Sequence, residues 1–156
     1  MRQALRHFIA TLAYRGTNVL REMPDHVATL RPGSPVRTPV EILNHVNGVL
    51  TYAYACFGHD STRPPISDWK GEVNSFFNLL AKLDSMLASD VPMQTIGEFQ
   101  LLQGPLSDAM LHLGQIGIFR RLAESPVAGE DYSIADIRIG QLKKPEELGR
   151  NRSGVQ

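Results

Sequence analysis

The sequence is poor in several features that would each indicate a particular class of protein. Its single cysteine, Cys56, cannot form an internal disulfide, and a thiolate-rich zinc site would lack its other ligands. Lysine and arginine together number 16, as do aspartate and glutamate, so there is no excess positive charge to attract a nucleic-acid backbone. We therefore predict a cytoplasmic protein that does not bind nucleic acid.

Long apolar runs are missing as well. The N-terminal segment is interrupted by His7 and Arg15, and no other stretch is as long and apolar as a membrane-spanning helix requires. No segment alternates apolar and polar residues over a useful length, as a half-buried strand would. The sequence therefore predicts a soluble, all-α protein without a signal peptide or a membrane partner. Its 156 residues suffice for one domain.

What the sequence does contain is helical periodicity, in four segments. Apolar residues recur at steps of three and four over about 5–23, 39–57, 68–88 and 105–125. Thr38, Pro39 and Glu41 form a capping-box pattern at the start of the second segment. Gly104 and Pro105 are predicted to start the fourth. Helices of roughly 19 to 22 residues are each about 30 Å long, so these four match in length and predict a four-helix bundle.

The residues outside these segments are predicted to form loops and a C-terminal extension. Ser89–Gln103 is predicted to be a loop with a short helical turn near Glu98–Leu102. After the fourth helix we expect a short ordered piece over about 132–140, followed by a polar tail. The chain is therefore divided into a helical domain, residues 1–142, and a tail, residues 143–156.

Three residues on two of the predicted helices have the character of metal ligands. Asp108 and His112 are four residues apart, which places both side chains on one helix face with Cβ atoms about 5–6 Å apart. His45 lies between Ile42 and Val49 on an apolar stripe of the second helix, so we expect it to point inward. If both helices begin at the same end of the bundle, the three side chains reach one level. Two imidazoles and one carboxylate would then bind a divalent ion and leave positions open for water and substrate.

Each of these residues also has an ordinary explanation. A histidine on an apolar face is commonly a hydrogen-bonded core residue, so His45 need not be a ligand. Asp108 is close to the predicted start of its helix, where the helix dipole favours an acid. His112 can simply form a hydrogen bond with a neighbour. The spacing alone therefore leaves both a metal site and a metal-free protein open.

Three further residues are candidates for the surroundings of such a site. Gln115, one turn beyond the second histidine, is expected either to contact a substrate or to pack against its own helix stripe. Tyr52 is expected either to line a pocket or to pack in the core. Asp84, on the apolar face of the third helix, is expected either to orient a ligand histidine or, as the favoured alternative, to pair with an arginine.

Two other groups of residues are assigned to the surface. Leu43, Leu50 and Tyr54 lie opposite the stripe that carries the first histidine, and they suggest a contact between two copies of the chain. Arg120 and Arg121 are predicted to be solvated on the last turn of the fourth helix, where positive charge is favourable.

Two segments resemble a known family. The segment GPLSDAMLHLGQIGIFRRLAESPVAGEDYSIADIRIG, from Gly104 to Gly140, is similar to the last helix and tail of the DinB/YfiT-like metalloenzyme superfamily. EILNHV resembles the second-helix segment that carries the first histidine ligand of that family. The family pattern in the last helix is His-x3-His-x-Gly-Gln, and here Asp108 stands where the first of these histidines is usual. The chain also resembles a DA-x2-H-x-GQ variant within the superfamily.

The resemblance spans essentially the whole chain, because helices of the right number and order lie on either side of both segments. It implies a DinB-like four-helix bundle with a short C-terminal extension and frequent formation of a homodimer. It also implies a divalent ion, nickel or zinc by preference and iron or manganese as alternatives, held by His45, Asp108 and His112.

The functional expectation follows from the same resemblance. Related proteins include transferases and isomerases in which the metal activates a low-molecular-weight thiol. A site with Asp108 is more negative than one with three histidines, so its bound water should be less acidic and the activity does not carry over directly. We expect a metal-dependent hydrolase or thiol-dependent transferase acting on a small-molecule substrate. The alternatives are a non-catalytic, stress-linked metal- or ligand-binding bundle and a metal-free structural dimer.

Overall fold

The computed structural model describes residues 1–63 and 65–142, and the predicted polar tail, residues 143–156, lies outside these ranges. The described residues are helical and include no strand, which confirms the all-α prediction for them. None of these helices is both long and apolar enough to cross a lipid bilayer. In chain order the elements are α1 (Arg2–Leu20), α2 (Asp25–Ala28), α3 (Pro39–Ala55), α4 (Trp69–Ala88), α5 (Glu98–Leu101), a π-helical turn (Leu102–Leu106) and α6 (Ser107–Leu122).

The starts of α3 and α4 follow from local sequence signals. The Thr38 hydroxyl accepts a hydrogen bond from the Glu41 backbone N–H at 3.3 Å, and the Glu41 carboxylate accepts one from the Thr38 N–H at 2.7 Å. At the start of α4, the Asp68 carboxylate accepts a hydrogen bond from the Gly71 N–H at 2.8 Å. Each cap satisfies backbone donors that have no partner within the helix, which confirms both predicted helix starts.

The predicted start of the fourth long helix is wrong. The helical backbone begins at Glu98 rather than at Gly104, and it continues through the π-helical turn into α6 with Pro105 inside it. Proline has no N–H to donate and its ring crowds the preceding turn, so an ordinary α-helix excludes it. The wider π turn accommodates the ring, and the Ser107 hydroxyl donates a hydrogen bond to the Leu102 carbonyl at 2.7 Å.

The four long helices enclose one apolar core. α1 and α3 each pack against both α4 and α6, so every long helix has two long neighbours. Phe76 and Phe77 of α4 are both buried in it and meet edge to face, with ring centroids 5.1 Å apart. The largest fully buried side chains are Phe76, Phe77, Leu5, Ile9, Leu12, Leu20, Leu43, Leu50, Leu80, Leu83, Leu101 and Leu106.

The buried face of α3 differs from the stripe that periodicity predicted. Leu43 and Leu50 are fully buried and Tyr54 packs against the core, whereas Tyr52 on the predicted inner stripe is half exposed. α3 is apolar around most of its circumference, so the pattern alone does not choose the inward direction. The expectation that Leu43 and Leu50 are free for a contact between copies is therefore wrong.

A buried carboxylate joins α3 to α4. The Glu72 side chain is 3% exposed and accepts hydrogen bonds from the amide groups of Asn44 at 3.1 Å and Asn47 at 2.7 Å. The backbone N–H of Ser67 donates to the same carboxylate at 2.7 Å. A buried charge is costly without such partners, so this network fixes how α3, α4 and the preceding loop sit together.

Arg120 corrects another prediction. Rather than being solvated, it is buried and donates hydrogen bonds to the carbonyls of Val19 at 3.1 Å and Arg21 at 2.6 Å. These carbonyls lie at the C-terminal end of α1, where a positive charge is favoured. Arg120 therefore ties the end of α6 to the end of α1, while its neighbour Arg121 is exposed as predicted.

Two glycines allow a direct test of this packing. A Cβ added at Gly16 of α1 would lie 2.6 Å from the ring of Phe76, whereas one added at Gly114 of α6 meets nothing within 4 Å. We expect Gly16→Ala to lower the free energy of unfolding by about 1–3 kcal/mol, because the buried ring cannot move away. Gly114→Ala should raise it by up to about 1 kcal/mol, because alanine favours the helix. Urea denaturation measures both changes, and equal effects would contradict the contact between α1 and α4.

Candidate metal centre

The three predicted ligands come together between α3 and α6. Nε2 of His45 lies 3.5 Å from Oδ2 of Asp108, and Nε2 of His112 lies 3.5 Å from Oδ1 of the same carboxylate. All three ligand atoms lie within 4.8 Å of one another. The two imidazole rings meet edge to face with centroids 4.6 Å apart. The three side chains thus meet at one level of the helices, as predicted, although the helix that carries Asp108 and His112 begins earlier than predicted.

The cluster lies on the wall of an open cavity and not inside the core. The side chains of His45 and Asp108 are 30% and 43% exposed, and that of His112 is 14% exposed. The core face of α6 is formed by Ala109, Leu113, Ile116, Phe119 and Arg120. Periodicity predicts that the stripe of α6 with Asp108, His112, Gln115, Phe119 and Leu122 points inward, but of these five residues only Phe119 is buried, and Gln115 is exposed. This openness leaves room for a substrate beside the three ligands.

One ordinary explanation for Asp108 is excluded by the fold. Helical backbone runs without a break from Glu98 to Leu122, so Asp108 does not lie at a free helix N-terminus. The electrostatic benefit of an acid is confined to the first turn of a helix, where backbone N–H groups lack partners. Asp108 faces His45 and His112 instead.

Gln115 orients the ring of His112. Its side-chain oxygen Oε1 lies 2.9 Å from Nδ1 of His112, close enough to accept a hydrogen bond from that nitrogen. The other ring nitrogen, Nε2, faces the carboxylate of Asp108. Hydrogen bonds of this kind orient histidine ligands in metal sites. Gln115 thus acts through the histidine and not in the core.

The imidazole of His45 is held in its neutral form. Burial lowers its pKa below the usual value, and the positive charges of His112, Arg37 and Arg63 act in the same direction, against the opposing effect of Asp108. A lowered histidine pKa means that the uncharged ring predominates at neutral pH. The neutral ring is the form that donates a lone pair to a metal.

These groups fit a divalent ion. Both imidazoles point Nε2 at the carboxylate of Asp108, at 3.5 Å in each case, so two nitrogen ligands and one oxygen ligand face one another. Ligand atoms in a tetrahedral zinc site are about 3.3 Å apart, given Zn–N distances of about 2.0–2.1 Å. The three ligand atoms lie within 4.8 Å of one another, so side-chain rotations that shorten their separations by up to about 1.5 Å would reach this spacing.

The cavity beside the cluster has a volume of about 630 Å³, which is sufficient for a small molecule. Tyr52 lines it together with Val49 and Leu111, so the pocket alternative for Tyr52 is the one that the geometry supports. Arg63 lines the cavity too, and no pattern in the sequence indicated it, because it lies in a loop without periodicity.

Asp84 has a different environment. Its two carboxylate oxygens accept hydrogen bonds from Nε and Nη2 of Arg6 at 2.9 and 3.0 Å, which joins α4 to α1. It does not line the cavity beside the cluster. The ion-pair alternative therefore describes Asp84, and the geometry gives no sign of a contact with a ligand histidine.

Comparisons with protein-family models, with curated proteins and with solved structures found no match. The resemblance to the DinB/YfiT-like superfamily therefore stays a prediction, based on the sequence segments quoted above.

The contact between Gln115 and His112 predicts an effect on metal affinity. We expect Gln115→Ala to weaken Zn²⁺ binding about tenfold, because the ring then loses the partner that orients it. Gln115→Glu keeps an acceptor and should restore the affinity. Gln103→Ala, at the rim of the same cavity, is the control. Competition with a chromogenic chelator measures the affinities, and equal values for Gln115→Ala and Gln103→Ala would rule out the orienting role.

The pair of Asp84 and Arg6 predicts an effect on stability alone. We expect Asp84→Ala to lower the free energy of unfolding by about 1–3 kcal/mol, because it leaves the largely buried Arg6 guanidinium without its carboxylate. Asp136→Ala removes an exposed pair with Arg138 and should leave the free energy of unfolding nearly unchanged. Zn²⁺ affinity should be unaltered in both variants, and a loss in Asp84→Ala would contradict the structural role.

Proposed function

We propose that this chain is a DinB-like four-helix bundle that binds one divalent ion through His45, Asp108 and His112 and acts as a metal-dependent enzyme. The observation that carries the proposal is the convergence of three ligand atoms to within 4.8 Å at the edge of an open cavity. An enclosed site with a complete ligand set would favour a structural ion, whereas three protein ligands beside a cavity favour a catalytic one.

The family part of the proposal is supported by the arrangement of the ligands. One histidine comes from α3, the second long helix, and the Asp-x3-His pair comes from α6, the last. This is the distribution that the resembling segments imply. Four long helices, each packed against two of the others, are likewise what such a bundle requires.

The chain's own residues supply binding and orientation. A divalent ion at this position would lower the pKa of a water molecule or a thiol, so that a nucleophile forms near neutral pH. Gln115 orients the ring of His112, and Val49, Tyr52 and Leu111 offer an apolar surface to a bound substrate. Among the described residues that line the cavity, the ligands His45 and Asp108 are the only imidazole and the only carboxylate. The cavity therefore offers no separate general base, and the nucleophile would carry most of the mechanism.

The type of reaction is proposed as hydrolysis or thiol transfer on a small molecule. Nickel and zinc are the preferred ions because the resemblance implies them, and imidazole and carboxylate ligands suit both. A low-molecular-weight thiol is the proposed co-substrate for transfer. The proposal also includes a homodimer, supported by the exposed apolar side chains of Leu111, Ile118 and Leu122 along α6.

Metal content tests the first half of the proposal. We expect protein purified without a histidine tag to bind one Zn²⁺ or Ni²⁺ per chain, as measured by elemental analysis after dialysis. His112→Ala should lose the ion, because only two ligands remain. His7→Ala, which removes an exposed histidine of α1, should keep it. Full metal content in His112→Ala would show that the ion is held elsewhere.

Turnover tests the second half with the same variants. The metal-loaded protein should hydrolyse activated esters, or transfer a bacterial thiol to an electrophile, at a rate that His112→Ala loses and His7→Ala retains. Turnover only when thiol is present would identify a transferase. A chain that binds its ion but turns over neither substrate would be a non-catalytic binding protein.

A further inference from the structure

A second cavity adjoins the metal centre and differs from the first in character. It has a volume of about 570 Å³ and shares His45 and Arg63 with the first cavity. Its other walls include Arg31, Arg37 and Glu41. Three arginines against one glutamate make this side of His45 basic, whereas the first cavity is mainly apolar.

Only one of the three arginines is neutralised. Arg31 forms an ion pair with Glu41 at 2.6 Å and donates to the carbonyl of Val36. Arg37 and Arg63 have no carboxylate partner among residues 1–63 and 65–142. Two uncompensated positive charges therefore flank His45.

Arg63 is held in place by groups behind it. Its guanidinium donates a hydrogen bond to Oδ1 of Asn44, whose amide nitrogen is bound in turn by the buried carboxylate of Glu72. The side chain lies against α3 at Gly48, where an added Cβ would be 2.9 Å from its Nε. The absence of a side chain at position 48 thus makes room for Arg63. A long side chain fixed in this way binds a ligand at a smaller cost in conformational entropy.

Positive charges beside a divalent ion repel it, so this arrangement is most favourable when an anion is bound as well. Arginine presents a planar set of donors that matches the oxygens of a carboxylate or a phosphate. On the other side of the site, Val49, Tyr52 and Leu111 offer an apolar surface. A ligand complementary to both cavities has an oxyanion at one end and an apolar body at the other.

We propose that the substrate is a small organic oxyanion, bound through its carboxylate or phosphate by Arg37 and Arg63, with its apolar body against Tyr52, Val49 and Leu111. The bond that reacts then lies between the two cavities, next to the three metal ligands. This inference rests on the proposed function for the identity of the reacting site, but the anion preference itself is measurable without turnover.

The test compares matched probes on the full chain, with and without Zn²⁺. 4-Phenylbutyrate and phenyl phosphate carry an anion, 4-phenylbutyramide lacks the charge, and inorganic phosphate lacks the apolar body. Isothermal titration calorimetry should show at least one of the two aromatic anions binding about tenfold more tightly than the amide. Comparison of the two identifies carboxylate or phosphate as the group recognised.

Substitution of the arginines locates the binding. Arg37→Gln and Arg63→Gln should each reduce the preference for the anion about tenfold, and Arg63→Lys should recover only part of it, because lysine lacks the planar donor set. Arg121→Gln, which removes an exposed arginine elsewhere, should change nothing. Circular dichroism shows whether each variant is folded.

Three results would overturn the inference. The first is equal affinity for anion and amide, and the second is a preference that survives both arginine substitutions, which would place the anion on the metal alone. The third applies where phenyl phosphate is the anion that binds: inorganic phosphate binding as tightly as phenyl phosphate would remove the role of the apolar cavity. Zn²⁺ content is measured in every sample, so that failure of the metal site is distinguished from failure of the anion site. A protein that binds no zinc but still prefers the anion would support the anion site and contradict the proposed metal-dependent function.

Discussion

The arrangement around the candidate site depends on the hydrogen bonds of one buried carboxylate, that of Glu72. It is bound by two amide side chains of α3 and by the backbone of the loop before α4. Since Asn44 precedes His45 directly and also receives the guanidinium of Arg63, one buried charge sets the orientation of α3 and the position of a loop arginine together. A rigid support of this kind is what a preorganised binding site requires.

Much of the fold could be predicted because its signals are local. The caps at Thr38 and Asp68 involve residues within three positions of one another, so the sequence shows them directly. The same reliance on local signals gave the wrong start for the last helix. Pro105 by itself indicates the first turn of a helix, but here the backbone accommodates the proline inside a wide π-helical turn. The inward faces of α3 and α6 were predicted wrongly because both helices are apolar on more than one side, and only their packing partners decide which side is buried.

The candidate site shows the same division between local and distant information. The spacing of Asp108 and His112 placed them on one face, and the count of residues from each presumed helix start placed His45 at their level, although the real helix begins earlier. The sequence did not indicate that Arg37 and Arg63 lie at the site, because both belong to loops. Loops have no periodicity from which the direction of a side chain can be predicted. Their position follows from contacts between elements far apart in sequence, which spacing does not encode.

The π-helical turn at Leu102–Leu106 has a consequence for how this protein can vary among related chains. Such a turn adds one residue to a helical turn, and each residue advances the direction of side chains by about 100°. Deleting a single residue there would change by about 100° the angle between the side chains before the turn and the Asp108–His112 pair after it. The number of residues in the π-helical turn therefore determines the direction in which Asp108 and His112 point. Related chains that keep this ligand pair should also keep the number of residues in the turn.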